Sequence, residues 1–476
     1  MKKIALFIKN KIFWTFILLV SVISTFIGVL IYKAQNPYKP AFFNYSSYIS
    51  EKTREEMEKT FTYKEYGTVL EFKNALEKEQ AAAGILPASE AARLVKEDRI
   101  RKIDFNSVFN LEGDKRLQNP NDVKKFLQNI VTPITWKQLE SYDEYLKNTL
   151  NKKTNKNEDR HLWEYFVPYY SQEYVIAYSS HKNDGKLLEG VNDYELSWFD
   201  ILSKLKELGY QNIVIVNDLR NNTVLGTTRL LSKNKADVFL ENKGKLTLED
   251  YADQLDSFQK LVEESLDVKI TQHDKVLFES DGSKLLDKLI VTDSNVNIGI
   301  LFNGDGLDAF FSEDNNKDVA EGSVRIIKPK ESIITLDGIT ISSSVSDQEA
   351  HEYFAALNKL IYHYEKFINY DDFEDYSKLE EYLEQHKKSE ENDEGVSEEV
   401  IDYDALGFTS NFDFINYTPV YKIEYNYFLD NYFEGETGKL AKDIYKIDGS
   451  RAIFLEPIDK QLDARTRIKF NNIVSG

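Results

Sequence analysis

Three features of this 476-residue chain predict an α/β fold built on a largely parallel sheet. Strand-like and helix-like segments alternate between residues 41 and 104, the pattern of a parallel sheet. Residues 212–216, NIVIV, read as a buried strand that follows a helical segment and stops at NDLRNN. That is the position, past the carboxyl end of a parallel strand, where open α/β sheets meet ligands. The length suits two ordinary domains, each with its own core.

Composition narrows the function. Eighty acidic residues against 60 basic ones give a net charge of −20, which argues against a nucleic-acid binder and suits a cationic ligand. Tyr and Phe, 29 of each, make an aromatic-lined site easy to build. With no cysteine, these residues carry no disulfide, thiolate metal site, cysteine nucleophile or lipidated cysteine. There is no GxxxxGK[ST], HExxH, EF-hand loop or GxSxG. The six histidines (His161, His181, His273, His351, His363 and His386) lack ligand spacing, and His351 and His363 read as residues on helix faces without chemistry. No enzyme, metal or cofactor is predicted.

Residues 13–32, FWTFILLVSVISTFIGVLIY, form an uncharged apolar run. Twenty helical residues span about 30 Å, the thickness of a bilayer core. Lys2, Lys3, Lys9 and Lys11 precede the run, and only Lys33 and Lys39 follow closely. The positive-inside rule therefore places the N-terminus in the cytoplasm and the rest of the chain outside. The run is long for a signal peptide and ends VLIYKAQ, a poor cleavage site, so an uncleaved signal anchor is expected.

From residue 41 the composition turns globular. Ser50 is placed to cap the helix EKTREEMEKTF. TYKEYGT reads as a strand, residues 69–80 as a helix, 83–87 as a short buried strand ending at Pro87, and Ser89 as the cap of the next helix. Helices are expected near residues 121–128 and 136–148, a strand over 166–179, and a helix opening at 197–202 and ending at Gly209. Asp218, just past NIVIV, is either a helix cap or a ligand group at a strand end. Residues 246–266 read as an amphipathic helix, and 268–270 and 289–291 as strands. Residues 346–368 are helical, 369–404 are acidic and largely helical or disordered with EENDEGVSEE as a solvated insertion, 412–421 form a loop, and 455–473 a terminal helix.

The stretch 297–344 carries the most information. NIGILF reads as a strand ending in a sharp NGDG turn, followed by an acidic loop and two β-branched runs interrupted by Pro329. In the second run Asp337 lies among Ile333, Ile334, Leu336, Ile339 and Ile341. A carboxylate there is costly to bury alone. It is either the first residue of an Asp-Gly hairpin turn or a group on a cleft wall awaiting a cation.

Taken together, these segments resemble the polyamine-binding proteins of bacterial spermidine/putrescine ABC importers. NYSSY at 44–48 is similar to that family's Asn-Trp-x-x-Tyr segment, and ILPASEAARLVKEDRIRKID at 85–104 to its Val-Pro-Ser strand and helix. VPYYSQEYVIAYS at 167–179 resembles its Val-Pro-Tyr strand, although the family's Gly-Thr-x-Gly-Ile is absent. Residues 198–226 resemble its Trp-Ala-Asp-Leu helix, strand and Asp-x-Arg-Glu loop, and NIGILFNGDG, ITLDGITI and FINYTPV complete the order. Coverage is most of 42–476, broken by insertions near 106–160, 228–285 and 369–410.

The resemblance implies a two-lobed periplasmic-binding-protein-like (type II) fold with a hinge, preceded here by one transmembrane helix. The expected division is a cytoplasmic stub and anchor over 1–40, lobe 1 over 41–177, and lobe 2 over 178–334. The chain returns to lobe 1 over 335–425, with the acidic insertion at 369–410, and ends in helices over 426–476. Tyr45 and Tyr48 stand at aromatic positions of the family's site, Phe302 replaces a Trp, and Tyr417 is its late aromatic. Ser89 falls in a loop one residue shorter than the family's. Asp218 and Asp337 are the acids implied to hold amines. Asn221 stands where a second acid is usual, and Thr335 where a Trp is usual. The implied partners are a polyamine, the permease subunits of an ABC importer, and the bilayer through residues 13–32. Two other readings stand beside this one: a receptor of the same fold for thiamine or ferric iron, and an anchored surface or adhesion protein with a degenerate cleft.

Overall fold

The computed structural model describes residues 2–35, 39–230, 245–311, 319–391, 397–433 and 435–476. The predicted acidic loop at 312–318, part of the insertion near 228–285 (231–244), and the centre of EENDEGVSEE (392–396) lie outside the described residues. The chain opens with α1 (Lys2–Gln35). The side chains of residues 13–29 and Ile31 stand exposed, among them Trp14, Leu18 and Phe26. Among the described residues no helix is long and apolar enough to cross a membrane.

Among the described residues eleven strands form one sheet: β1 (Ala41–Tyr45), β2 (Thr62–Tyr66), β3 (Ala83–Pro87), β4 (Val167–Ser179), β5 (Ile213–Val216), β6 (Val276–Glu279), β7 (Ile298–Phe302), β8 (Val324–Ile327), β9 (Ser332–Ile341), β10 (Thr418–Pro419) and β11 (Ala452–Phe454). Their order is β2-β1-β3-β9-β4-β7-β5-β6, with β8 and β10 added to β4 and β11 to β9. The outer pairs are parallel, as predicted: β1 with β2 and β3, and β5 with β6 and β7. The two long strands β4 and β9 run antiparallel to their neighbours in the main order.

Strand β4 joins the two halves of the sheet. Its first part, from Val167 to Glu173, pairs with β9, and its second part, from Tyr174 to Tyr178, with β7. All thirteen of its residues are buried. Apolar side chains divide into two cores at the same place. One contains Phe42, Ile85, Tyr170, Leu336 and Phe412; the other contains Tyr174, Val214, Leu261, Ile300 and Ile333. The boundary thus falls between Tyr170 and Tyr174 on β4 and between Ile333 and Leu336 on β9. The last helix lies over both halves. Phe470 packs in the second core, while Asp463 and Lys460 form ion pairs with Lys73 and Glu77 of the first half.

Several local expectations hold. The Ser50 hydroxyl accepts from the Thr53 amide and caps the helix Glu51–Thr60. Others are corrected. α2 (Ala88–Lys96) starts directly after Pro87, whose fixed φ of −65° suits a helix entry, so Ser89 lies inside the first turn and caps nothing. Residues 289–291 are not a strand. Leu285, Leu286, Leu289 and Ile290 form the buried face of the helix Gly282–Ile290, a short apolar run whose period is ambiguous from sequence. Residues 268–270 are loop. Asn303-Gly304-Asp305-Gly306 make no turn: β7 passes straight into α4 (Asn303–Phe310), and none of the four has positive φ. Asp337-Gly338 is not a hairpin either. Both lie within β9, and the register with β4 shifts between them. Gly338 is required because a Cβ there would come within 2.4 Å of the Phe166 ring. The acidic insertion carries a helix (Ser377–Glu384) and an antiparallel hairpin of Lys387–Glu391 with Ser397–Ile401. Residues 412–415 end the helix Gly407–Ile415, which Asn416 closes in the left-handed conformation.

A candidate ligand-binding cleft

Between the two halves lies a cleft of about 1250 Å³. It is lined by Tyr45, Tyr48, Ser89, Asp218, Phe302, Asp337 and Tyr417, so the structure brings all seven sequence-predicted positions together. They arrive from different elements. Tyr45 ends β1 and Tyr48 follows it, Ser89 opens α2, and Asp218 follows β5. Phe302 ends β7, Asp337 is in mid-β9, and Tyr417 immediately precedes β10.

Four aromatic rings form a row across the cleft. Ring centroids lie 5.6 Å apart for Tyr45 and Tyr48, 5.4 Å for Tyr48 and Tyr417, and 6.2 Å for Tyr417 and Phe302. Such a row offers apolar surface to methylenes and negative ring faces to cations.

Asp337 is the most constrained acid. It is only 2% exposed. Its Oδ2 accepts from the Tyr48 hydroxyl at 3.0 Å and from Gln172 Nε2 at 2.9 Å, while Oδ1 is buried without a hydrogen-bond partner. Burial pushes its pKa up to about 7; the Tyr48 hydrogen bond opposes the rise and the nearby Asp218 adds to it. Asp218 does two jobs at once. It lines the cleft, and its Oδ1 accepts from the Asn221 amide at 2.8 Å, as a cap would for α3 (Leu219–Leu230). Both sequence alternatives for Asp218 therefore describe part of its surroundings. Burial raises its pKa, against the Asn221 amide and the Arg220 charge.

Thr335 and Asn221, the two departures from the family pattern, contact each other: the Thr335 hydroxyl donates to Asn221 Oδ1 at 3.2 Å. They replace an aromatic and an acid with a neutral polar pair.

Sequence reasoning missed two residues of this site. Gln172 pairs across the strands with Thr335 and binds both Tyr48 and Asp337; nothing in VPYYSQEYVIAYS marks one polar residue above another. Asp305, 8% exposed, accepts from the Tyr417 hydroxyl at 2.7 Å through Oδ1. Burial pushes its pKa up to about 7, against the Tyr417 hydrogen bond. The NGDG string concealed it because it reads as a turn.

Among the described residues eleven carboxylates and four bases line the cleft, and each base makes at least one polar contact. Lys73 pairs with Glu90 at 3.1 Å and with Asp463 at 3.3 Å, and Arg467 with Asp463 at 3.2 Å. Lys52 donates to the Asp404 carbonyl and Arg220 Nη2 to the Glu456 carbonyl. Acids outnumber bases, so the formal charge of this lining is negative. Among the described residues no group of His, Asp and Glu has the arrangement of a metal site. The adjacent Tyr169 and Tyr170 hydroxyls go to separate partners, the Tyr48 carbonyl and Glu424.

Comparison with solved structures shows the fold. A protein described as a spermidine/putrescine ABC transporter of Listeria monocytogenes superposes with a TM-score of 0.50 at 12% identity, covering 91% of this chain and 98% of its own. The GacH receptor of Streptomyces glaucescens, solved unliganded and with acarbose, gives 0.50 at 10%, covering 92% and 94%. The spermidine/putrescine substrate-binding protein PotD of Streptococcus pneumoniae gives 0.49 at 14%, covering 91% and 98%. No curated protein matches the chain. The fold is the two-lobed one of ABC-importer substrate-binding proteins, and the Listeria and Streptomyces structures, described for different ligands, match it with the same TM-score. Residues 7–451 match the family described as hypothetical lipoprotein (MG045 family), and the chain belongs to that family.

Proposed function

We propose that this protein is the extracytoplasmic substrate-binding component of an ABC importer and that it captures a polyamine, spermidine or putrescine, between its lobes. The observation that carries this reading is Asp337. It is a buried carboxylate with one oxygen unpartnered, on the wall of an aromatic cleft in which acids outnumber bases among the described lining residues. An ammonium relieves the cost of that burial through charge-assisted hydrogen bonds. Residues 41–173 and 336–445 act as one lobe, and 174–333 with the C-terminal helix as the other, hinged at β4 and β9. A ligand that touches both lobes only when they are closed favours the closed state. Permease subunits are the partner that receives the ligand.

The membrane connection proposed is α1. The family name speaks of lipoproteins, yet none of the 476 residues is a cysteine, so a thioether-linked lipid has no attachment point here. The exposed apolar row from Phe13 to Val29, behind a lysine-bearing N-terminus, is the surface that lipid would cover.

A second reading has its own observation. Arg220 Nη1 is buried without a partner, which favours an amine that also carries a hydrogen-bond acceptor, such as an amino sugar or an amino acid. Isothermal titration of the full-length chain in detergent with spermidine, putrescine, acarbose, an amino acid panel, thiamine and ferric ion separates these. Spermidine or putrescine binding supports the first reading. Binding of acarbose or an amino acid alone supports the second, and no binding of any kind supports a degenerate cleft.

A further inference from the structure

Asp305 is another buried carboxylate of the cleft. It lies in the first turn of α4, directly after β7, and lines the cleft. Its position is built rather than incidental. The Tyr417 hydroxyl donates to it at 2.7 Å, and Tyr417 reaches it only because residue 304 is glycine: a Cβ there would lie 1.9 Å from Tyr417 Cδ1. The neighbouring tyrosine repeats the arrangement. The Tyr48 ring lies 5.4 Å from that of Tyr417, and its hydroxyl donates to Asp337. Two touching tyrosines thus each present one aspartate to the same cavity, and one of those aspartates retains an oxygen without a partner. Meanwhile Asn221 is neutral and Asp218 is half committed to capping a helix.

We propose that Asp305, oriented by Tyr417, is a second ligand carboxylate, so that the cleft takes an amine with at least two ammonium groups, one held by Asp337 and another by Asp305. This rests on the cationic-amine reading of the cleft. The separation of the two tyrosine–aspartate pairs selects among amines by the spacing of their charges, and Tyr417 acts as a positioning residue.

The test is titration of the full-length chain in detergent with spermidine and its two monoacetylated forms, each of which lacks one terminal ammonium. Wild type is compared with Asp305→Asn and Tyr417→Phe. Asp305→Asn is expected to weaken spermidine binding by about tenfold or more, as loss of one partner of a buried charge pair does. It should change the affinity for one acetylated form very little, because the ammonium that Asp305 holds is already gone from it. Tyr417→Phe is expected to show the same ligand pattern with a smaller loss, and serves alone if Asp305→Asn does not fold. Equal losses for all three ligands in either folded variant, or no loss for spermidine, overturn the proposal. A wild-type chain that binds spermidine separates that failure from failure of the amine reading; one that binds no amine overturns both.

Discussion

Replacing Asp337 by Asn should stabilise the empty protein at alkaline pH and weaken its hold on an amine. In the unliganded fold burial raises the Asp337 pKa from 3.8 to about 7. The folded state then binds more protons than the unfolded state between those values. Stability contributed by this group is therefore greatest below the unfolded value, falls as pH rises through that window, and carries the full penalty above about 7. A shift of about 3 units corresponds to about 4 kcal/mol. Asparagine escapes the charge penalty. However, with its carbonyl accepting from Tyr48 and Gln172 in place of Oδ2, its amide nitrogen falls at the unpartnered Oδ1 position without an acceptor, which returns about 1–3 kcal/mol. The expected net gain is about 1–3 kcal/mol at pH 8 and little at pH 5. Spermidine affinity should fall by about 2–5 kcal/mol, the cost of losing one member of a buried pair. Urea unfolding of wild type and variant at both pH values, with calorimetric titration at pH 8, measures both quantities. A variant no more stable than wild type at pH 8 that binds spermidine equally well would refute the claim that Asp337 is an uncompensated buried charge awaiting a cation.

Three further outcomes are expected. Burial pushes the pKa of both Asp337 and Asp305 up to about 7, so an ammonium that pairs with them drives protons off. Amine affinity should fall by up to about tenfold per unit for each acid as pH drops below about 7. Titration at pH 7 in buffers of different ionisation enthalpy should show proton release. Gly304→Ala, whose methyl meets the Tyr417 ring, should lower stability by about 1–3 kcal/mol, read from thermal melts, and weaken amine binding through the displaced Tyr417. Deleting residues 1–38 should move the protein from the carbonate-washed membrane fraction to the supernatant; retention in the membrane fraction refutes α1 as the membrane connection.

How far the sequence reached depended on the kind of signal. Alternation of short strands with helices marked β1 to β3, and the NIVIV run marked β5, because burial on both faces leaves a run of β-branched residues that no loop would carry. Asp337 stood out because a charge inside such a run is improbable without a purpose. Where local and tertiary signals diverged, the sequence misled. Gly and Asn in NGDG looked like turn residues, but Gly304 is required by the distant Tyr417 ring, a contact 113 positions along the chain that no local pattern carries. Of the two readings of Asp-Gly at 337–338, the hairpin fails for the same reason, with Phe166 as the distant cause of the glycine. Gln172 and Asp305 became visible only when β4, α4 and the segment before β10 were brought to one cavity, since their significance lies in their partners and not in their neighbours.

The last helix gives the molecule an unusual mechanical coupling. Phe470 fastens it to one half, while the buried Lys73–Asp463 pair and the Lys460–Glu77 pair tie it to the other. In the proposed rotation about β4 and β9 both attachments would be loaded, so the strands that act as the axle and the helix that acts as the tie rod are different parts of the chain. The tie rod passes through the cavity wall: Lys73, Asp463 and Phe470 all line it.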